Sequence, residues 1–158
     1  MQRVGVIGSG FAGLAAAAVL AKAGKKVVVF EKGNYPRHKV CGEYISMESH
    51  SYLLKLCPVL NSMKLPVIKE FLLTTTGGSE FKTELDLGGF GLSRYKMDEA
   101  LSQLAIKNNA KVFTSTRISD ITFHNNSFIV KTNAGQTYTS KLVIGSYGKR
   151  DVLDKKLN

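Results

Sequence analysis

Short unbroken apolar stretches alternate with longer segments of helical period along this chain. Residues 4–7 (Val-Gly-Val-Ile) and 27–30 (Val-Val-Val-Phe) have strand length, and the second reads as a central parallel strand buried on both faces. Between them, residues 14–23 are dominated by alanine and leucine, the best helix formers, and Gly24 stands where a left-handed residue closes a helix. Together they predict a βαβ unit.

Further on, Gly33-Asn34-Tyr35-Pro36 is turn chemistry leading into a mixed loop. Ile45-Ser46 opens a predicted helix with Ser46 as N-cap, an apolar side from Leu53, Leu54 and Cys57, and a stop at Pro58. Residues 58–66 read as a connector. Residues 67–76 and 79–87 predict a hairpin around Gly77-Gly78, after which Gly88-Gly89-Phe90-Gly91 turns the chain. A second helix is expected over 95–108: Met97, Leu101, Leu104 and Ala105 share a face, and Asp98 and Glu99 suit the positive end of its first turn. A strand at 111–114 follows, then alternation through Ile118, Ile121, Phe123 and Phe128, Val130, Thr132 around Asn125-Asn126 predicts a second hairpin. Residues 136–139 extend it to a meander, and the apolar strand 142–144 runs into Gly145-Ser146-Tyr147-Gly148. This order predicts an α/β fold, a Rossmann-like parallel sheet with an antiparallel meander and an inserted hairpin.

Composition narrows the picture. The 158 residues, 44% of them hydrophobic, are enough for one domain with a real core. No apolar run reaches the length of a membrane span, so a cytoplasmic protein without a transmembrane segment is expected. Cys41 and Cys57 make no disulfide framework. The net charge of +10 is spread along the chain with only paired lysines and arginines, which suits a solvated surface that attracts an anionic cofactor and argues against nucleic acid.

The candidate chemistry lies in the first βαβ unit. Gly8-Ser9-Gly10-Phe11-Ala12-Gly13 has the spacing G-x-G-x-x-G directly between strand and helix. Gly8 allows the tight turn, Gly10 lets backbone approach a pyrophosphate, and Gly13 lets helix pack on strand. Phe11 and Ala12, between the second and third glycines, are candidate cofactor contacts, and the N-terminus of the helix that follows favours phosphate. Glu31, 18 residues after Gly13 at the end of the second strand, is the expected ribose acceptor, with Lys32 beside it. An acid here suits the unphosphorylated ribose of FAD or NAD better than NADP. The alternative is a glycine-rich turn without a ligand.

These features, with three further stretches, resemble the FAD-dependent oxidoreductases of the geranylgeranyl reductase and aromatic-hydroxylase type. The further stretches are Pro36-Arg37-His38-Lys39-Val40-Cys41-Gly42-Glu43, Ser93-Arg94-Tyr95-Lys96-Met97-Asp98, and residues 142–150. The resemblance implies a glutathione-reductase type FAD-binding domain, with the first motif and Glu31 holding the adenosine half. It further implies that the second stretch passes along the flavin, that Arg94 approaches the cofactor, and that the Gly148 turn lies beside it. In the last stretch Tyr147 replaces the family's acid and Asp151 stands where a serine is common. Family members continue into a second Gly-Asp motif and a substrate-binding sheet, so the resemblance covers an N-terminal half, with residues 67–92 on the substrate side. It implies a small-molecule substrate, hydride or electron transfer through the flavin, and NAD(P)H as a candidate donor.

Several of these residues have plainer readings. Arg37 and Lys39 read as flavin or phosphate contacts or as solvated loop charges, and Cys41 with Gly42 as a face for the isoalloxazine or a small buried hydrophobe. Arg94 reads as a cofactor contact or an exposed helix-start arginine, and Gly148 as a turn with or without a cofactor beside it. His38, Cys41, His50 and Cys57 lack the paired spacing of a zinc site, so no metal is expected. No nucleophile with a base stands out. A non-catalytic dinucleotide-binding module and an NAD-binding Rossmann protein therefore stand as alternatives to the flavoprotein.

Overall fold

The structure is a computed structural model that describes residues 3–148 and Leu153. Two compact units emerge, Met1–Arg37 with Asp98–Asn158, and His38–Met97.

The first unit is built on a four-stranded parallel sheet. β1 (Arg3–Ile7) lies between β2 (Lys26–Phe30) and β10 (Leu142–Gly145), and β6 (Lys111–Phe113) adds to the outer side of β2. Residues of β1 and β2 are buried after their first positions, because each face of the sheet is covered. On one face α1 (Phe11–Lys22) and the body of α3 (Arg94–Lys107) join the sheet in one core, Ala17, Ala18, Ala21 and Ala105 meeting Val6, Val27 and Val29. The small alanines let α1 approach closely. On the other face the antiparallel meander β7 (Ile118–His124), β8 (Ser127–Thr132) and β9 (Thr137–Ser140) packs Ile118, Ile121 and Val130 on Ile7, Val28 and Phe30. The layer order is helices, parallel sheet, antiparallel sheet, and the parallel sheet with its meander is the α/β fold that the sequence pattern implied.

Details of this unit follow from local chemistry. α1 starts at Phe11, inside the glycine motif and three residues before the alanine run that announces it. It closes with Gly24 at φ +74°, a conformation that glycine adopts without steric cost. Asn125 and Asn126 both take positive φ between β7 and β8, as a two-residue hairpin turn requires.

The second unit departs more from expectation. Ile45 and Ser46 belong to a short strand, β3 (Tyr44–Ser46), and do not open a helix. Ser46 is still the N-cap that the sequence implied, its hydroxyl accepting from the Glu48 N–H, but it caps one 3-10 turn that a short α2 (His50–Leu56) follows. A further 3-10 turn, Pro58–Ser62, lies in the connector. The hairpin of β4 (Val67–Thr74) and β5 (Glu80–Gly91) forms around Gly77-Gly78, but β5 runs through Gly88 to Gly91 where the chain was expected to turn. These glycines serve close approach: a Cβ on Gly89 would sit 2.4 Å from the Tyr44 ring. Gly88, at φ +66°, accompanies a register shift between Ile68 and Glu70. Among the described residues no helix is long and apolar enough to cross a membrane.

Candidate functional site

The glycine loop sits at the C-terminal end of β1. Gly8 has φ +89°, and its N–H donates to the Phe30 carbonyl at 2.8 Å, which ties the loop to the end of β2. A Cβ on Gly13 would lie 2.2 Å from the Gly8 carbonyl oxygen and 2.5 Å from Ser146 Oγ, so only glycine lets α1 start against the strand. Gly10 caps α1 in an extended conformation without a side-chain hydrogen bond. The first N–H groups of a helix have no partner within it, and here Phe11 and Ala12 begin the turn that presents them.

The loop after β10 braces this arrangement. Ser146 donates its N–H to the Ile7 carbonyl at 2.8 Å, and its hydroxyl lies 2.6 Å from the Gly8 carbonyl oxygen. A Cβ on Gly8 would meet Ser146 O and Tyr147 Cα at 2.6 Å. The sequence departure at Tyr147 thus falls in a turn that shapes the glycine loop with backbone and a serine hydroxyl. Gly148 is exposed, at φ +83°; Asp151 lies outside the described residues.

Glu31 is fixed on both sides of its backbone. Its N–H donates to Phe113 O at 2.8 Å and its carbonyl accepts from the Thr116 N–H at 2.7 Å. The side chain is buried, 5% exposed, and turned toward the glycine loop. Oε2 accepts from the Ser9 N–H at 2.9 Å and the Ser9 hydroxyl at 2.7 Å. Oε1 accepts from the Gly33 N–H at 2.8 Å and from Arg37 Nη1 at 2.5 Å. Burial would raise the Glu31 carboxyl, but bonds from Arg37, Gly33 and Ser9 overcome it and hold the group at about 2.

Two neighbours complete the cluster. The Tyr35 hydroxyl donates to the Ser9 carbonyl and lies against the Ser9 hydroxyl, and the Arg37 guanidinium lies 5.3 Å over the Tyr35 ring. Burial, helped by the charge of Glu31, pushes the Tyr35 phenol up to about 12. Asp98 is fully buried, and its charge also raises both Tyr35 and Arg37. A residue assigned from sequence to a helix dipole thus belongs to the electrostatics of this site.

The structure brings together Gly8, Gly10, Phe11, Ala12, Gly13, Glu31 and Arg37 in the first unit, with Lys32 exposed at its edge. Ser9, Tyr35 and Ser146 join them without having been singled out in the sequence. Cys41, Gly42 and Arg94 belong to the second unit. There Cys41 is exposed and accepts from the Glu43 N–H at 3.4 Å, so it is not the buried hydrophobe that was one of its readings. The Arg94 N–H donates to Glu43 Oε1 at 3.3 Å, and Glu43 has φ +56°. Among the described residues no three His, Cys, Asp or Glu side chains are grouped to hold a metal ion.

Known proteins carry the same architecture. Residues 6–43, the βαβ unit and the loop after it, match the model of the NAD(P)-binding Rossmann-like domain. Among curated proteins, the chain is 28% identical over 163 residues to a menaquinone reductase of Mycolicibacterium smegmatis, covering 96% of this chain. It is 25% identical to an uncharacterized protein of Methanosarcina barkeri, covering 97% of this chain. The chain spans 39% of the length of each of these relatives. Among solved structures, halogenase PltM in complex with phloroglucinol and FAD superposes with TM-score 0.79 at 20% identity, covering 99% of this chain and 36% of that one. The flavin-dependent halogenase CmlS gives 0.80 at 19%, covering 99% of this chain and 31% of that one. The chain therefore has the Rossmann-like α/β fold that these structures share.

Proposed function

We propose that this chain is the FAD-binding, N-terminal part of a flavin-dependent oxidoreductase of the reductase or monooxygenase type. The observation that carries the reading is the joint placement of a glycine loop that tolerates no Cβ at Gly8 or Gly13 and an ionised, buried carboxylate at Glu31 across from it. Phosphates fit the first turn of α1, where backbone N–H donors and the helix dipole favour negative charge. An adenosine ribose fits Glu31, an acceptor-only group at neutral pH. When bound, the flavin supplies hydride and electron transfer, while the protein positions it and sets its electrostatics. Cofactor contacts by Cys41, Gly42, Arg94 and Gly148 belong to the same proposal. So do a small-molecule substrate, NAD(P)H as donor and a cytoplasmic location. We assign the β4–β5 hairpin, with Phe71, Leu73 and Phe81 roughly half exposed, to the substrate side.

The match to an NAD(P)-binding model favours a second reading, an NAD-binding Rossmann module without a flavin. The visible spectrum of the purified protein and a fluorescence titration with FAD separate the two. Flavin absorption, or saturable quenching of FAD fluorescence that Glu31→Ala weakens, supports the flavoprotein; a colourless protein that binds NAD and ignores FAD overturns it.

A further inference from the structure

Glu31 has its full complement of partners within the protein. A carboxylate offers about four lone-pair sites, and four donors occupy them: two from Ser9, one from Gly33 and one from Arg37. A ribose diol can bond to Glu31 only by displacing one of these. Three of them are fixed. The Ser9 and Gly33 N–H groups belong to the backbone of the two loops, and the Ser9 hydroxyl is fully buried on a residue whose carbonyl accepts from Tyr35. The fourth is the end of a long side chain, 24% exposed, that lies over the Tyr35 ring.

We propose that Arg37 is a specificity residue that occupies Glu31 until a ribose replaces it, so that the site discriminates against adenosine ligands that bring no phosphate. The inference rests on the reading of Glu31 as the ribose acceptor. A guanidinium displaced from a buried carboxylate loses a charged partner, and that loss must be offset. A dinucleotide brings anionic phosphates that offset it through the positive charge of Arg37; adenosine brings none. Gly33 belongs to the same device. A Cβ at Gly33 would fall 2.4 Å from Arg37 Nη1, so the missing side chain is what lets the guanidinium reach Glu31.

The test is an NMR titration of adenosine, 2′,3′-dideoxyadenosine and ADP into the wild type, Arg37→Met and Gly33→Ala. Methionine keeps an apolar stem over Tyr35 and removes the donors, whereas alanine at position 33 dislodges the guanidinium with its charge intact. Both variants should bind adenosine about fivefold more tightly, the scale of one partly exposed ion pair. Dideoxyadenosine, which lacks the diol, should bind them and the wild type equally, and the preference for ADP over adenosine should fall in Arg37→Met. Added salt should tighten adenosine binding to the wild type, because it weakens the Arg37–Glu31 pair, and should leave Arg37→Met unmoved. Gly33→Ala serves as an independent second variant should Arg37→Met fold poorly. Unchanged or weaker adenosine binding in the variants, with Glu31→Gln still weakening it in the wild-type background, overturns the role of Arg37 alone. If Glu31→Gln leaves adenosine and dideoxyadenosine binding alike, Glu31 is not the ribose acceptor and both readings fall.

Discussion

Replacing Glu31 with glutamine removes a charge and keeps the shape, which makes it a direct measure of what the buried carboxylate contributes to the fold. The group is held at about 2 against an ordinary 4.5. At about 1.4 kcal/mol per unit, that shift corresponds to about 3 kcal/mol. The sign follows from the depressed value. The stabilisation is complete above 4.5, where an unfolded glutamate is ionised, and is lost as pH falls through about 2. Glutamine cannot titrate, and its amide group would direct N–H donors at the N–H donors of Ser9 or Gly33. Urea denaturation of both proteins should therefore give Glu31→Gln a deficit of about 3 kcal/mol near neutral pH. The deficit should shrink steadily over the acid range, because the wild type loses stability there and the variant does not. A deficit that stays constant from neutral to acid pH would refute the argument, since it would trace the loss to packing and not to ionisation.

Gly13→Ala should cost about 3 kcal/mol, because its Cβ meets backbone oxygen at 2.2 Å, and should abolish dinucleotide binding. Gly24→Ala, with nothing within 4 Å but a positive φ, should cost about 1 kcal/mol and leave binding intact; thermal melts and FAD titration compare the two. In an ultraviolet titration of the six tyrosines, one should ionise near 12 and be missing in Tyr35→Phe. Since that pKa is raised in the folded protein, the stability it brings is present below the ordinary value of 10 and is lost as pH rises through about 12.

Much of the first unit was legible because its signals are local. The apolar runs of β1 and β2, the alanine face of α1 and the asparagine pair between β7 and β8 each specify their own geometry. The second unit was less legible because its pairings are not local. Tyr44 to Ser46 form a strand only because Gly89 to Gly91, far along the chain, lie beside them. A glycine run carries the same local signal whether it turns a chain or lets an aromatic ring lie close. In the site, Glu31 and the glycines were legible from spacing, whereas Ser9 and Tyr35 were not, since their contact bridges 26 residues. Asp98 was within reach of the sequence: with Leu101, Ser102 and Ala105 it stands at i, i+3, i+4 and i+7, and all four are buried. Its charge pointed to the helix terminus, where the periodicity pointed to the core.

The pairing of β1 with β10 joins residues separated by nearly the whole described chain, and Ser146 then seats itself on Gly8. Chain-closure entropy makes such distant parallel contacts slow to form. The glycine loop therefore takes its final form only after the meander, which follows it in the chain, has been synthesised and β10 has docked. In the growing chain, the shape of the loop is a late property of a segment made well before the strand that completes it.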